Sequence, residues 1–189
     1  MSFTIPIIIL LVLIGLVVVA GLWLMTAYNG LVTLRQAVKN AWAQIDVQLK
    51  RRHDLIPNLV NTVKGYAAHE KETFERVINA RARATSATSP AESIKAEGEL
   101  SSALARLLAV SEAYPELKAN QNFLALQEEL TATENRVAYA RQFYNDNVTR
   151  LNTQIQTFPT VVIAGMFGFK EEPFFETPGE EKAAPTVQF

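Results

Sequence analysis

Residues 28–84, YNGLVTLRQAVKNAWAQIDVQLKRRHDLIPNLVNTVKGYAAHEKETFERVINARARA, decide how this chain folds. Apolar side chains recur along them in steps of three and four: Leu31, Leu34, Val38, Ala41, Ile45 and Leu49, then Ile56, Val60, Val63, Ala67, Phe74 and Ile78. Such spacing marks one buried face of an α-helix, with charges on the remaining positions. The seam is interrupted at Lys50-Arg51-Arg52-His53-Asp54, and Pro57 follows. Leu49 and Ile56 lie seven residues apart, two helical turns, so the seam keeps its phase across the gap. Proline lacks a backbone donor and crowds the carbonyl four residues earlier, here that of His53. No Gly, Asn-Gly or Ser-rich turn accompanies it, so a kinked but continuous helix is expected in preference to a hairpin. A continuous helix over this stretch would be about 80 Å long, at ~1.5 Å per residue.

Upstream, residues 5–25 form a run of 21 without a charge or a strongly polar side chain. About 20 such residues cross a bilayer as a helix. Thr4 can cap it, and Pro6 falls in the first turn, where a missing donor matters little. A cleaved signal peptide is the rival reading. Against it, no Lys or Arg precedes the run, the run exceeds a signal core of about 7–15 residues, and no A-x-A site follows. An uncleaved anchor over residues 1–27 is therefore expected, with Trp23 and Tyr28 at the level of an interfacial aromatic belt. Arg35 and Lys39 follow the span closely, which favours an amino terminus outside and a cytoplasmic body.

Downstream, Ala84-Thr85-Ser86-Ala87-Thr88 reads as a loop of small residues, and Ser89-Pro90-Ala91-Glu92 as a capping box that opens a second helix. That helix carries Leu100, Leu104, Leu107 and Leu108 to about Ala113, where Tyr114-Pro115 ends it. Asn120 or Asn122 can cap a third helix running to about Thr157. Its pattern is the strictest in the chain: Phe123, Leu126, Leu130, Thr133, Val137, Ala140 and Tyr144, continued with a shift by Val148, Leu151 and Ile155. Coiled-coil-like packing against the first helix follows, giving an antiparallel helical bundle over residues 28–158.

Phe158-Pro159 stops the third helix, and residues 159–176 are apolar, with Phe167, Phe169, Phe174 and Phe175 prominent. This segment either folds back and plugs the bundle or stands exposed as a contact for protein or membrane. Residues 177–189, with two prolines and three charges, read as a disordered tail.

Little chemistry is signalled. The charge is balanced, with 18 basic and 19 acidic residues, so no nucleic-acid surface is expected. The lack of cysteine excludes disulfides, thiol catalysis and thiolate metal sites. His69-Glu70 begins like a metalloprotease H-E-x-x-H, but Thr73 stands where the second histidine belongs. His53 and His69 are 16 residues apart, on different faces of a helix, so no metal site is expected. Neither a phosphate-binding glycine loop nor a nucleophile elbow is present, so no cofactor, small-molecule substrate or enzymatic activity is expected.

The basic gap is the strongest candidate for a role beyond packing. Arg51, Arg52, His53 and Asp54 could simply be a solvated helix turn with weak local ion pairs. Arg52, however, lies seven residues after Ile45 and four before Ile56, and so points where the seam points. Buried there it needs a partner, and Glu134, Glu128 and Asn61 are available. Such a polar layer fixes register between helices or marks a subunit contact.

Three blocks carry a resemblance. RRHDLIPNLVNTVKGYAAHEKETFERVINARA, AYPELKANQNFLALQEELTATENRVAYARQFYN and FPTVVIAGMFGFKEEPFFE resemble the hallmarks of the LemA family of bacterial membrane proteins. The likeness covers about residues 28–176. It implies an all-α protein, single-pass in the bacterial inner membrane, in a family with a magnetosome-associated branch and a poorly defined molecular activity. Together the readings give a transmembrane helix followed by an elongated antiparallel bundle with a very long first helix. A thin bundle leaves apolar surface uncovered, so a homo-oligomeric, non-enzymatic scaffold of the envelope is expected. The alternative is an adaptor or regulator binding a membrane protein partner. The resemblance suggests a membrane protease, because LemA-like proteins are often encoded near membrane metalloproteases.

Overall fold

The computed structural model describes residues 4–175, with side chains from Pro6 onward, so the expected disordered tail lies outside the described residues. Among these the chain forms helices α1 (Thr4–Lys64), α2 (Lys71–Ser86), α3 (Pro90–Ser111), α4 (Pro115–Lys118), α5 (Gln121–Gln156) and α6 (Thr160–Met166), and no strand. Two compact units result. One takes the chain up to Asn40 together with Asp146–Glu172, the other Ala41–Asn145 together with the chain from Pro173.

α1 joins what the sequence separates into an anchor and a first bundle helix. It starts with Pro6 in its first turn and passes through Pro57 without ending. It does not reach Ala84, as the helical pattern leads one to expect. It stops at Lys64, and the chain turns through residues 65–70 into α2. Gly65 is the weak point, because glycine costs a helix interior about 1 kcal/mol relative to alanine. The next turn is tight: the Tyr66 amide donates to the Val63 carbonyl at 3.0 Å, as does the amide of the buried Ala67 at 2.9 Å. A straight continuation would leave the α2 face of Phe74, Val77, Ala80 and Ala84 without a partner, whereas the reversed chain buries it. The turn also resets the phase. Ile78, expected in the seam, is 54% exposed, and Val77 is buried in its place.

The second unit is a helical bundle. α1 and α5 run antiparallel in it: Trp42 meets Tyr144, Arg52 meets Glu134 and Tyr66 meets Asn120, one number rising as the other falls. α2 and α3 pack on each other, and one core runs from Ile56, Leu59 and Val63 through Val77 to Leu100, Leu107, Phe123 and Leu130. Two of its helices, α3 and α5, begin with a side-chain cap. The Ser89 hydroxyl accepts from the Glu92 amide at 3.3 Å, and the Glu92 carboxylate reaches back to the Thr88 amide at 3.1 Å and its hydroxyl at 3.0 Å. Those bonds to the charged form hold the Glu92 carboxyl below its ordinary value. Asn120 Oδ1 accepts from the Phe123 amide at 3.0 Å and starts α5. The short α4 was not foreseen. Pro115 ends the preceding helical pattern but can also open a helix at its first position.

In the first unit α1 presents residues 6–25 wholly exposed and then buries Leu31 and Val38. α5 contributes Val148, Leu151 and Ile155, and α6 contributes Ile163 and Ala164.

Candidate functional site

Pro57 creates the first half of the site. Having no N–H, it leaves the His53 carbonyl without its helical donor. Arg81, arriving on α2, donates from Nε to that carbonyl at 2.7 Å. The turn at Gly65 is what brings Arg81 there, so the kink residue and the reversal are parts of one arrangement.

The other half is a buried polar layer in the second unit. Arg52 and Glu97 are each 1% exposed, and Arg52 Nη1 donates to Glu97 Oε2 at 2.6 Å. His53 Nε2 lies 2.6 Å from the other carboxylate oxygen of Glu97, so this one side chain holds two neighbours of the α1 turn. Arg52 Nη2 donates to Ser101 Oγ at 2.8 Å. Nε of Arg52 sits 2.7 Å from Glu134 Oε1, but its N–H is not aimed at that oxygen, so this contact is an ion pair rather than a hydrogen bond. Taking an arginine and a glutamate out of water is unfavourable unless both are fully partnered, and here three helices supply the partners.

Of the acidic and amide partners expected for Arg52, Glu134 is present, 39% exposed at the edge of the layer. Glu128 and Asn61 are exposed and stand outside it. The central partner, Glu97, was missed. Its signal was legible: it lies three residues before Leu100 and seven before Leu104, a carboxylate on the apolar face of α3. Arg51 points to solvent and bonds Glu129 from Nε at 3.1 Å, and Asp54 is exposed. Among the described residues no three of His, Cys, Asp or Glu are grouped as metal ligands.

The C-terminal phenylalanines divide between inside and outside. Phe169 is buried in the first unit, edge-on to Tyr28 with centroids 5.8 Å apart and beneath the Arg35 guanidinium at 4.9 Å. Phe167 stacks obliquely on Tyr28 at 4.8 Å but stays 49% exposed. Gly168, at φ +68°, produces this alternation: it ends α6 in the left-handed region, with the Phe169 amide donating back to the Ala164 carbonyl at 2.9 Å. In the second unit Phe175 is buried between Trp42 and Arg141, while Phe174 is exposed.

Asparagines on α5 hold the extended segment by imitating a backbone partner. Asn152 donates from Nδ2 to the Glu172 carbonyl at 2.9 Å and accepts the Glu172 amide at 3.0 Å. Asn145 does the same for Phe175, at 3.1 and 2.8 Å. The segment is therefore neither a simple plug nor a simple patch, because it contributes to the core and also leaves an apolar face outside.

A sequence model of the LemA family matches residues 41–189, most of the chain and all of the buried layer. The chain belongs to the LemA family. A magnetosome protein MamQ of Paramagnetospirillum magneticum is 27% identical over 179 residues, 81% of this chain and 66% of its own length. The magnetosome protein MamQ of Magnetospirillum gryphiswaldense is 26% identical over 192 residues, 87% of this chain and 71% of its own. Protein LemA of Metamycoplasma hominis is 27% identical over 140 residues, 72% of this chain and 63% of its own. This LemA-family chain thus spans about two thirds of the length of these curated relatives.

Proposed function

We propose that this protein is a non-enzymatic, membrane-anchored helical scaffold of the bacterial envelope that assembles with copies of itself. The observation that carries the reading is α1. Its residues 6–25 are uncharged and exposed throughout, in a helix long and apolar enough to cross a membrane, and the same helix further on contributes Ile56, Leu59 and Val63 to the bundle core. Twenty exposed apolar residues are unfavourable in water and suited to a bilayer. Arg35 and Lys39, which follow the span closely, favour a cytoplasmic body in the inner membrane.

The buried Arg52–Glu97–His53 layer supports the structural side of the proposal. A layer of this kind specifies which helices pair and in what register. The test is the mass of the protein in detergent micelles or nanodiscs, with the lipid and detergent contribution subtracted. A particle of several chains is the expected result. A single chain that binds one membrane enzyme stoichiometrically would overturn self-assembly in favour of an adaptor.

A further inference from the structure

The first unit exposes an apolar surface besides the span itself. From Phe158 to Phe169, FPTVVIAGMFGF, there is no charge, and the one hydroxyl residue, Thr160, is buried. α6 turns Ile163 and Ala164 inward and leaves Val161, Val162 and Met166 outward, with Phe158, 80% exposed, preceding them. This outer face carries no polar side chain. A water-facing helix normally carries charges on its outer face, and an uninterrupted apolar patch marks a contact.

Its position says what the contact is. Phe167, at the end of α6, lies against Tyr28 with ring centroids 4.8 Å apart. Tyr28 comes three residues after Met25, the last residue of the apolar run, about 4.5 Å along the helix axis. α6 is seven residues long, about 10 Å, so its outer side chains begin within one short helix of where the span ends. Charges come next. Arg35 lies over Phe169, and Lys170 is exposed immediately beyond it. Apolar residues, then aromatic rings, then cations is the order of a membrane–water interface.

We propose that the outer face of α6, with Phe158, Val161, Val162, Met166 and Phe167, is a second membrane contact. It dips into the leaflet from which α1 emerges, and Lys170 and Arg35 sit at headgroup level. Short apolar faces bury about 5–10 Å into that boundary. The proposal rests on the reading of residues 5–25 as a span, and its test separates the two.

The chain has no cysteine, so single ones can be introduced into the full-length protein. Val162→Cys, Val17→Cys in the span and Asn79→Cys on the exposed face of α2 are each labelled with an environment-sensitive fluorophore. The labelled proteins are reconstituted in phosphatidylcholine vesicles with and without doxyl-labelled phosphatidylcholine. The expected result is loss of emission at Val162→Cys similar to that at Val17→Cys, and none at Asn79→Cys. Quenching at Val17→Cys alone overturns the second contact and leaves the span intact. A blue-shifted label at Val162→Cys that doxyl lipid does not quench means a second copy covers the face, and also overturns it. No quenching at Val17→Cys removes the span and the proposal with it.

Discussion

Arg52 and Arg51 are neighbours in sequence with opposite circumstances. Arg52 is enclosed by Glu97, Ser101 and Glu134, whereas Arg51 makes a solvent-exposed pair with Glu129. Removing one member of a buried pair strands the other, at a cost of about 3–5 kcal/mol. Arg52→Ala should therefore lower unfolding stability by that amount, and Glu97→Ala by at least as much, since it also deprives His53 of its acceptor. The double substitution should cost far less than the sum, because the second change removes the stranded charge. Arg51→Ala should stay within about 0.5 kcal/mol of the parent. Denaturant titration followed by circular dichroism reads all four proteins, and equal, small losses at Arg51 and Arg52 would contradict the buried layer.

At the level of the helix, Pro57 and Arg81 form a coupled pair through the His53 carbonyl. Arg81→Ala leaves that carbonyl without a donor and should cost about 1–3 kcal/mol. In a Pro57→Ala background the alanine N–H can take the same carbonyl, so Arg81→Ala should then cost clearly less. An identical loss in both backgrounds would mean that Arg81 acts through packing alone. The start of α3 responds to pH instead. The Glu92 carboxyl is held below its ordinary value by its bonds to Thr88, so its contribution is present above that value and is lost as the pH falls through the folded one. The stability difference between the parent and Glu92→Gln should shrink as the pH drops below 4.5, the ordinary value, when melting curves are compared across that range. A difference that is constant with pH would show that the charge of Glu92 is irrelevant to the cap.

For the molecule as a whole, anchoring and assembly make separate expectations. Alkaline carbonate should fail to extract the protein from membranes, because a span of this apolarity does not leave the bilayer when peripheral contacts are stripped. Replacing Val17 with Arg and Val18 with Asp should release at least part of it, since charges at the bilayer centre cost several kcal/mol. Full retention of that variant would place the anchoring elsewhere. Whether the chains assemble is read independently from particle mass, as above.

Periodicity alone was enough to identify α1, α3 and α5 and most of their buried faces, because a three-to-four-residue repeat has a single geometric solution. By contrast, α2 reads as a continuation of α1, and the short α4 and α6 went unread. The series from Phe123 to Ile155 and the caps at Ser89 and Asn120 follow from local chemistry, and the structure shows them where that chemistry places them. The phase argument also put Arg52 inside. The reversal at Gly65 was not legible. A helix pattern continues smoothly through it, and only the burial of Phe74, Val77 and Ala80 against distant residues favours the turn. Once the chain reverses, Val77 rather than Ile78 faces inward, and Arg81 reaches the carbonyl that Pro57 leaves open. Glu97 was visible as a carboxylate on an apolar face, but its partners are 44 and 45 residues away. No local pattern encodes such a pairing. It is decided by which helices pack together, and that depends on burying apolar area and satisfying every charge at once.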